Sequence, residues 1–245
     1  MSEKPCYSYY SPFVYYRRRH RIDPLPDTQG TLAFAPHTTP NAHHEIDYPR
    51  YIAQLKALPE EYQPVSVCLH MHDIVKGYHR AFIESGFPTY TAGHAHDHRF
   101  AERFYDMLRQ FRYTTAVEIG SHTFYSVEMG IPFFVYGDRY CRVNLGDDNA
   151  RLGTFDDYAE DPIYRKYYDL FNHFPNVSIS TEQQSVASSL LGLDSGLGRL
   201  EMCKILYCSL VRWLRVDTNC YVLCRAIMRN LLKTIRALFE EKSHA

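Results

Sequence analysis

The residues best able to do chemistry in this chain gather in four short polar stretches: His37-Thr38-Thr39, His70-Met71-His72-Asp73, Gly93-His94-Ala95-His96-Asp97-His98 and Gly120-Ser121-His122. The last is the most informative. Residues 114–119 read as a strand, 123–129 as a short helix and 131–136 as a second strand, with Gly130 and Pro132 closing the helix. A strand that runs through Gly-Ser into a helix offers free backbone N–H groups and a hydroxyl at the positive end of the helix dipole, where a phosphate can sit. The same residues also suit an ordinary turn with Ser121 as N-cap.

The other stretches offer related chemistry. His37 and Thr38 follow an apolar run, and a hydroxyl-rich turn there either binds a phosphate or ribose or bonds its own backbone. His70 and His72 alternate along an extended segment and so face one side. Gly93 permits close backbone approach to a ligand, and the imidazole of His94 can donate to a phosphate oxygen. Asp73, His96, Asp97 and His98 are ligand-type residues, but their spacing matches no zinc pattern. The expectation is therefore substrate contact by one or two of the histidines, with no metal. Glu128 lies two helical turns after Ser121, and it either reaches a ribose hydroxyl on the same side or is a surface charge.

These stretches need elements to hold them. Residues 30–36, 65–70, 88–92, 114–119 and 131–136 read as strands. Helical patterns fall between them at 49–58, around Tyr78, Phe82 and Ile83, at 100–111 and at 123–129. The βαβαβαβαβ order predicts a doubly wound, Rossmann-like parallel sheet, with the polar stretches opening together beyond the carboxyl ends of its strands. After residue 137 the pattern weakens. A helix is expected over 156–171, an edge strand over 177–180, and a loop at Gly192, Gly196 and Gly198. Two helices are expected over 199–242, broken near Asp217, Thr218 and Asn219. Leu200, Cys203, Leu206, Leu210 and Leu214 form the apolar stripe of the first; Leu223, Ile227, Leu231 and Ile235 form that of the second, beside Arg225, Arg229, Lys233 and Arg236. The basic cluster from Arg17 to Arg21 reads as a solvated linker. The expected division is 1–29 as a linker or remnant of a preceding domain, 30–198 as the sheet domain and 199–245 as a helical extension.

Composition narrows the classes. With 27 Lys and Arg against 28 Asp and Glu, the net charge of −1 gives no case for nucleic-acid binding. Seven cysteines without a CxxC pair suggest mostly reduced, buried thiols and a cytoplasmic setting. Cys220 and Cys224 share a helix face and read as packing. No apolar leader follows the first Met, and no apolar run is long enough to cross a membrane. The 21 Tyr and 13 His suit contacts to sugars or nucleotides, and equally a half-wet core.

Read together, Phe34-Ala-Pro-His37-Thr, Leu69-His-Met-His-Asp73-Ile-Val-Lys-Gly77, Thr91-Ala-Gly-His94 with Asp97 and Phe100, and Ile119-Gly-Ser-His122-Thr-Phe-Tyr125-Ser-Val-Glu128-Met-Gly-Ile-Pro132 resemble the donor-binding half of GT-B-type bacterial glycosyltransferases from capsule, exopolysaccharide or lipooligosaccharide clusters. The resemblance runs from Pro12 to Gly137. It implies a nucleotide-activated sugar as donor, with no other cofactor and no metal. His94 is then the phosphate-binding His of sialyltransferase-like relatives. Ser121, with the backbone of Gly120 and His122, is their phosphate-binding turn. The substrate-binding set expected is His37, Thr38, His72, Asp73, Gly93, His94, Gly120, Ser121, His122 and Glu128, with no catalytic residue assigned. The chain departs from these relatives in two ways. Val117 and Glu118 stand where they often carry Asn before the Gly-Ser turn, and only a short segment precedes the first strand where they carry an acceptor domain and its general base. The expected partners are a nucleotide sugar, a glycan or lipid-linked acceptor, and a partner chain or N-terminal domain, with peripheral contact at the inner face of the membrane. The alternatives are a metal-dependent hydrolase built on His37, His70, His72, His94 and Asp97, and a non-catalytic nucleotide-sugar-binding module.

Overall fold

The computed structural model describes residues 9–39, 42–144, 146, 152–195, 197–216, 227, 229 and 230. The chain separates into two compact units, 1–195 and 196–245. In the first unit the order begins α1 (Pro12–His20), β1 (Gln29–Phe34), β2 (Ala42–His44), α2 (Tyr48–Lys56), β3 (Val65–Cys68), α3 (Met71–Val75), α4 (His79–Glu84) and β4 (Thr89–Tyr90). It continues α5 (Phe100–Leu108), β5 (Phe111–Ala116), α6 (Ser121–Glu128), β6 (Phe133–Val135), β7 (Arg142–Asn144), β8 (Gly153–Phe155), α7 (Asp157–Glu160), α8 (Pro162–Phe171) and α9 (Thr181–Leu190).

Five of the strands form an all-parallel sheet in the order β4-β3-β1-β5-β6. Numbered among themselves these strands read 3-2-1-4-5, the order of a Rossmann-type doubly wound sheet. Near-continuous burial along β1, β3, β5 and β6 follows from helices covering both faces. Leu32 and Phe34 point into one core with Phe104, Leu108, Val127, Phe133 and Phe171, from α5, α6, β6 and α8. Ala33 and Ala35 point into the other, with Ile52, Leu55, Val67, Phe82 and Phe134.

Several boundaries differ from the sequence pattern for local reasons. The strand after α5 runs Phe111–Ala116 rather than 114–119, because α5 closes at Arg109 and frees Phe111 for the sheet. His70 and His72 do not share an extended segment. His70 caps α3, its Nδ1 accepting from the His72 N–H, and His72 is helical. The helix expected over 156–171 is two, broken at Asp161-Pro162, where Asp161 accepts from the N–H groups of Ile163 and Tyr164. Residues 177–180 form no strand; they lead into α9, whose capping box joins Ser180 and Gln183. A second, antiparallel sheet in the order β2-β7-β8 was not foreseen.

Residues 12–20 are a helix integral to the first unit, not a linker. Arg17 is buried, and its guanidinium grips Glu128 through Nε–Oε2 and Nη2–Oε1 contacts of 2.8 Å each. In the second unit α10 (Arg199–Val216) covers the first of the two expected C-terminal helices, and Leu200, Leu206 and Leu210 on its stripe are exposed. Cys203 and Cys208 there are exposed as well, which corrects the expectation of buried thiols; Cys68 and Cys141 are half-buried. Ile227 and Arg229 of the second expected helix are helical. The break at Asp217, Thr218 and Asn219, the pair Cys220 and Cys224, and the remaining residues of that helix lie outside the described residues. Among the described residues no helix is long and apolar enough to cross a membrane.

Candidate functional site

The sheet order fixes where a site belongs. From β1 the chain winds outward through β3 to β4, then returns to β5 and winds the other way to β6. Neighbours β1 and β5, paired in register up to Phe34 and Ala116, therefore send their following loops in opposite directions. A crevice opens at such a switch point, beyond the carboxyl ends of the strands.

A cavity of about 320 Å³ occupies this position. Its walls come from the ends of β1 (Phe34, Ala35, His37), β3 (Cys68, Leu69, His70) and β4 (Thr91, Ala92, Gly93), from α5 (Phe100, Phe104), from the start of α6 (Ser121, His122, Tyr125) and from Phe13 of α1. Its size falls at the lower end of the range for small-molecule sites, as does its pattern of apolar walls with a few convergent polar groups. The aromatic wall is tightly set. Phe13 and Tyr125 stack at 5.2 Å with planes 8° apart, and Phe104 meets Tyr125 edge-on at 5.9 Å. The Tyr125 hydroxyl lies 3.0 Å from Ser11 Oγ.

The polar side is built by the entry to α6. Gly120 is its N-cap residue and has no side chain to offer; Thr123 reaches back instead, its Oγ1 accepting from the Gly120 N–H at 3.3 Å. Ser121 is therefore not the cap: it opens the helix, and its side chain is exposed in the cavity wall. The Ser121 and His122 N–H groups take no backbone carbonyl, as expected of a first helical turn. His122 folds back over Gly120, so a Cβ there would come within 2.8 Å of the imidazole. A Cβ at Gly120 would therefore have to displace the His122 ring, whereas the backbone angle there does not itself call for glycine. The His122 ring packs 4.6 Å from that of Phe34, and its Nε2 is buried without a partner. Burial lowers its pKa to about 4, so the ring is neutral near pH 7.

His37 behaves differently. Its Nδ1 lies 3.6 Å from Glu118 Oε1, and contact with this carboxylate raises the imidazole pKa above its ordinary value, outweighing burial. Burial pushes the Glu118 carboxyl up, but His37, Tyr140 and Arg142 around it outweigh burial and hold it down to about 2. The third imidazole of the wall, His70, is lowered by burial and by the neighbouring histidines. Burial also pushes the Cys68 thiol up to about 12, which makes it a poor nucleophile at neutral pH.

Of the residues singled out from sequence, His37, Gly93, Ser121 and His122 line the cavity, and Gly120 supports it. The others do different work. Thr38 and Asp73 are buried against each other, the Thr38 N–H and Oγ1–H both donating to Asp73 Oδ1 at 2.9 Å. They tie the loop after β1 to α3 and are not presented to a ligand. His72 sits on α3, outside the wall, and His70 takes the place expected of it. His94 is exposed and outside the wall, its Nδ1 accepting from the His96 N–H at 3.0 Å. Gly93 does adopt a positive φ of 84°, but the group that approaches it is the Arg103 guanidinium, 2.9 Å from where a Cβ would stand. Arg103 also bonds the Ala92 carbonyl and Asp97, so Asp97 is committed to holding this loop. Glu128 lies two turns after Ser121 on α6 but outside the cavity wall, locked between Arg17 and Arg18 with its side chain only 3 % exposed. Among the described residues no group of three or more His, Cys, Asp or Glu side chains is placed to hold a metal ion.

The aromatic wall residues Phe13, Phe34, Phe100, Phe104 and Tyr125 are not in the substrate-binding set expected from sequence, although Phe34, Phe100 and Tyr125 stand in the motifs that carry the resemblance. The helical spacing over 100–111 turns Phe104 inward as core, but no pattern pairs Phe13 with Tyr125. No family model, curated protein or solved structure matches the chain.

Proposed function

We propose that the first unit binds a nucleotide-activated sugar through its phosphate in the cavity at the switch point. On this reading it is the donor-binding part of a GT-B-type glycosyltransferase of bacterial surface polysaccharide synthesis, with a glycan or lipid-linked acceptor. One observation carries the proposal: the cavity at the carboxyl ends of β1, β3 and β4 includes in its wall the exposed hydroxyl of Ser121 and the start of α6. A phosphate there would be met by a hydroxyl, by first-turn N–H groups and by the positive end of the helix dipole. The aromatic wall supplies a surface on which a base or a sugar face can pack. The volume suits part of such a donor, a nucleoside or a sugar phosphate, with the remainder extending toward solvent.

Calorimetric titration with UDP-, GDP- and CMP-linked sugars tests the proposal. Saturable binding of one of them is expected, weakened roughly tenfold in Ser121→Ala, the scale of one hydrogen bond to a charged group. No binding of any of the three would sink it. So would binding that Ser121→Ala leaves unchanged.

A further inference from the structure

A carboxylate beside a phosphate site should repel its ligand, and Glu118 stands three residues before Ser121. The fold turns this residue to use. Glu118 does not line the cavity; it lines a separate recess of about 30 Å³ together with Tyr140, Arg142 and Asp157. His37 stands between the two, contacting Glu118 through Nδ1 and lining the cavity with a ring that is half exposed. Its Nε2 makes no hydrogen bond to another described residue, so it remains available to a ligand.

The charge inventory of the wall makes this pair decisive. Among the described residues lining the cavity there is no Lys and no Arg, and the imidazoles are His37, His70 and His122. Burial lowers the last two, whereas His37 is raised by Glu118. Of the pair, His37 belongs to the cavity wall and Glu118 does not, so the imidazole is the member that a ligand meets.

We propose that the His37–Glu118 pair supplies the cavity's positive charge: His37 contacts an anionic ligand as the imidazolium, and Glu118 is the positioning residue that keeps it protonated. The inference rests on the phosphate reading of the cavity and adds a regulation to it, since affinity then follows the protonation of one side chain. Other groups facing His37 modify this without replacing it. Asp73 on α3 favours the charged ring, and Arg142 on β7 opposes it while being held by Asp157 at 3.1 Å as well as by Glu118 at 3.6 Å. His70 lies 5.4 Å away, ring to ring, and His44 of β2 bonds the His37 carbonyl; burial lowers the pKa of both.

The test is calorimetry of the full chain with UDP-, GDP- and CMP-linked sugars at constant ionic strength, between about pH 6 and pH 9, a range in which their phosphodiester groups keep a constant charge. The expected result is a loss of roughly tenfold in affinity across this range, with proton uptake on binding at the alkaline end. His37→Gln should bind as the wild type does at pH 9, whatever the pH. His37→Lys should keep its affinity at pH 9. Glu118→Gln, with folding checked by circular dichroism, should move the midpoint of the pH profile downward, and NMR titration of the His37 ring in the free protein should show the same displacement. Binding that is independent of pH, or pH dependence that survives in His37→Gln, would overturn the inference and leave the phosphate reading standing. Absence of binding at every pH would overturn both.

Discussion

Three side chains within reach of one another titrate in three different windows. The signs follow from which state of each the fold prefers. His37 is raised by Glu118, so its contribution to stability is complete below the ordinary His range near 6.5 and is lost as pH rises through its folded value. His122 is lowered to about 4 by burial, so the unfolded chain takes up its proton first and stability falls as pH drops from about 6.5 toward 4. Glu118 is held at about 2, so its contribution is present above the ordinary carboxylate range near 4.3 and is lost below it. His44 and His70, also lowered chiefly by burial, act in the same direction as His122. His122→Phe should therefore reduce the acid sensitivity of the fold between about pH 6.5 and 4.5 by roughly 2 kcal/mol without removing it. It keeps the ring contacts to Phe34 and Phe133 and removes a buried, unpartnered nitrogen. Urea unfolding midpoints of the two proteins across this range check it. Equal slopes would mean that the His122 nitrogen is solvated in both states.

At the scale of elements, α1 is held by a bidentate pair whose two side chains are 10 % and 3 % exposed. Removing one member of such a pair leaves the other charged and buried, which costs far more than the intact pair contributes. Glu128→Ala should lower stability by about 3–5 kcal/mol, and replacing Arg17 and Glu128 together by Met and Leu should recover most of that loss. Denaturant melts of the single and double variants measure both. An additive double variant would show that the guanidinium finds water when its partner is gone. Glu128 also shows where sequence reading stops. A helical count places it relative to Ser121 within two turns, but only the packing of α1 decides whether it meets a ligand or an arginine. The parallel sheet was legible because each strand is an apolar run closed by a polar stretch. The helix α9 was legible in principle, since Ser180 and Gln183 stand at capping-box spacing. The break at Asp161-Pro162 was legible too, from the proline and the capping carboxylate before it. The second sheet was not. Its three-residue strands, Ala42–His44, Arg142–Asn144 and Gly153–Phe155, are too short to show alternation and pair across a long sequence separation.

At the scale of the whole molecule, the candidate site belongs to one unit. Among the described residues, every residue in the cavity wall lies between Phe13 and Tyr125, and every buried core residue between Val14 and Leu191. This follows from the topology. A doubly wound sheet makes its crevice from its own strand order, so the switch point between β1 and β5 is complete once those strands and the helices that cover them are folded. The compact unit 1–195 contains all of them. A fragment ending at Ser195 should therefore fold cooperatively, with the near-ultraviolet circular dichroism of an ordered aromatic core. It should also bind whichever nucleotide sugar the full chain binds, with affinity within about twofold, since it retains every described wall residue. A fragment that folds but binds at least tenfold more weakly would mean that residues beyond 195 contribute to the ligand site, and the cavity at the switch point would then account for only part of recognition.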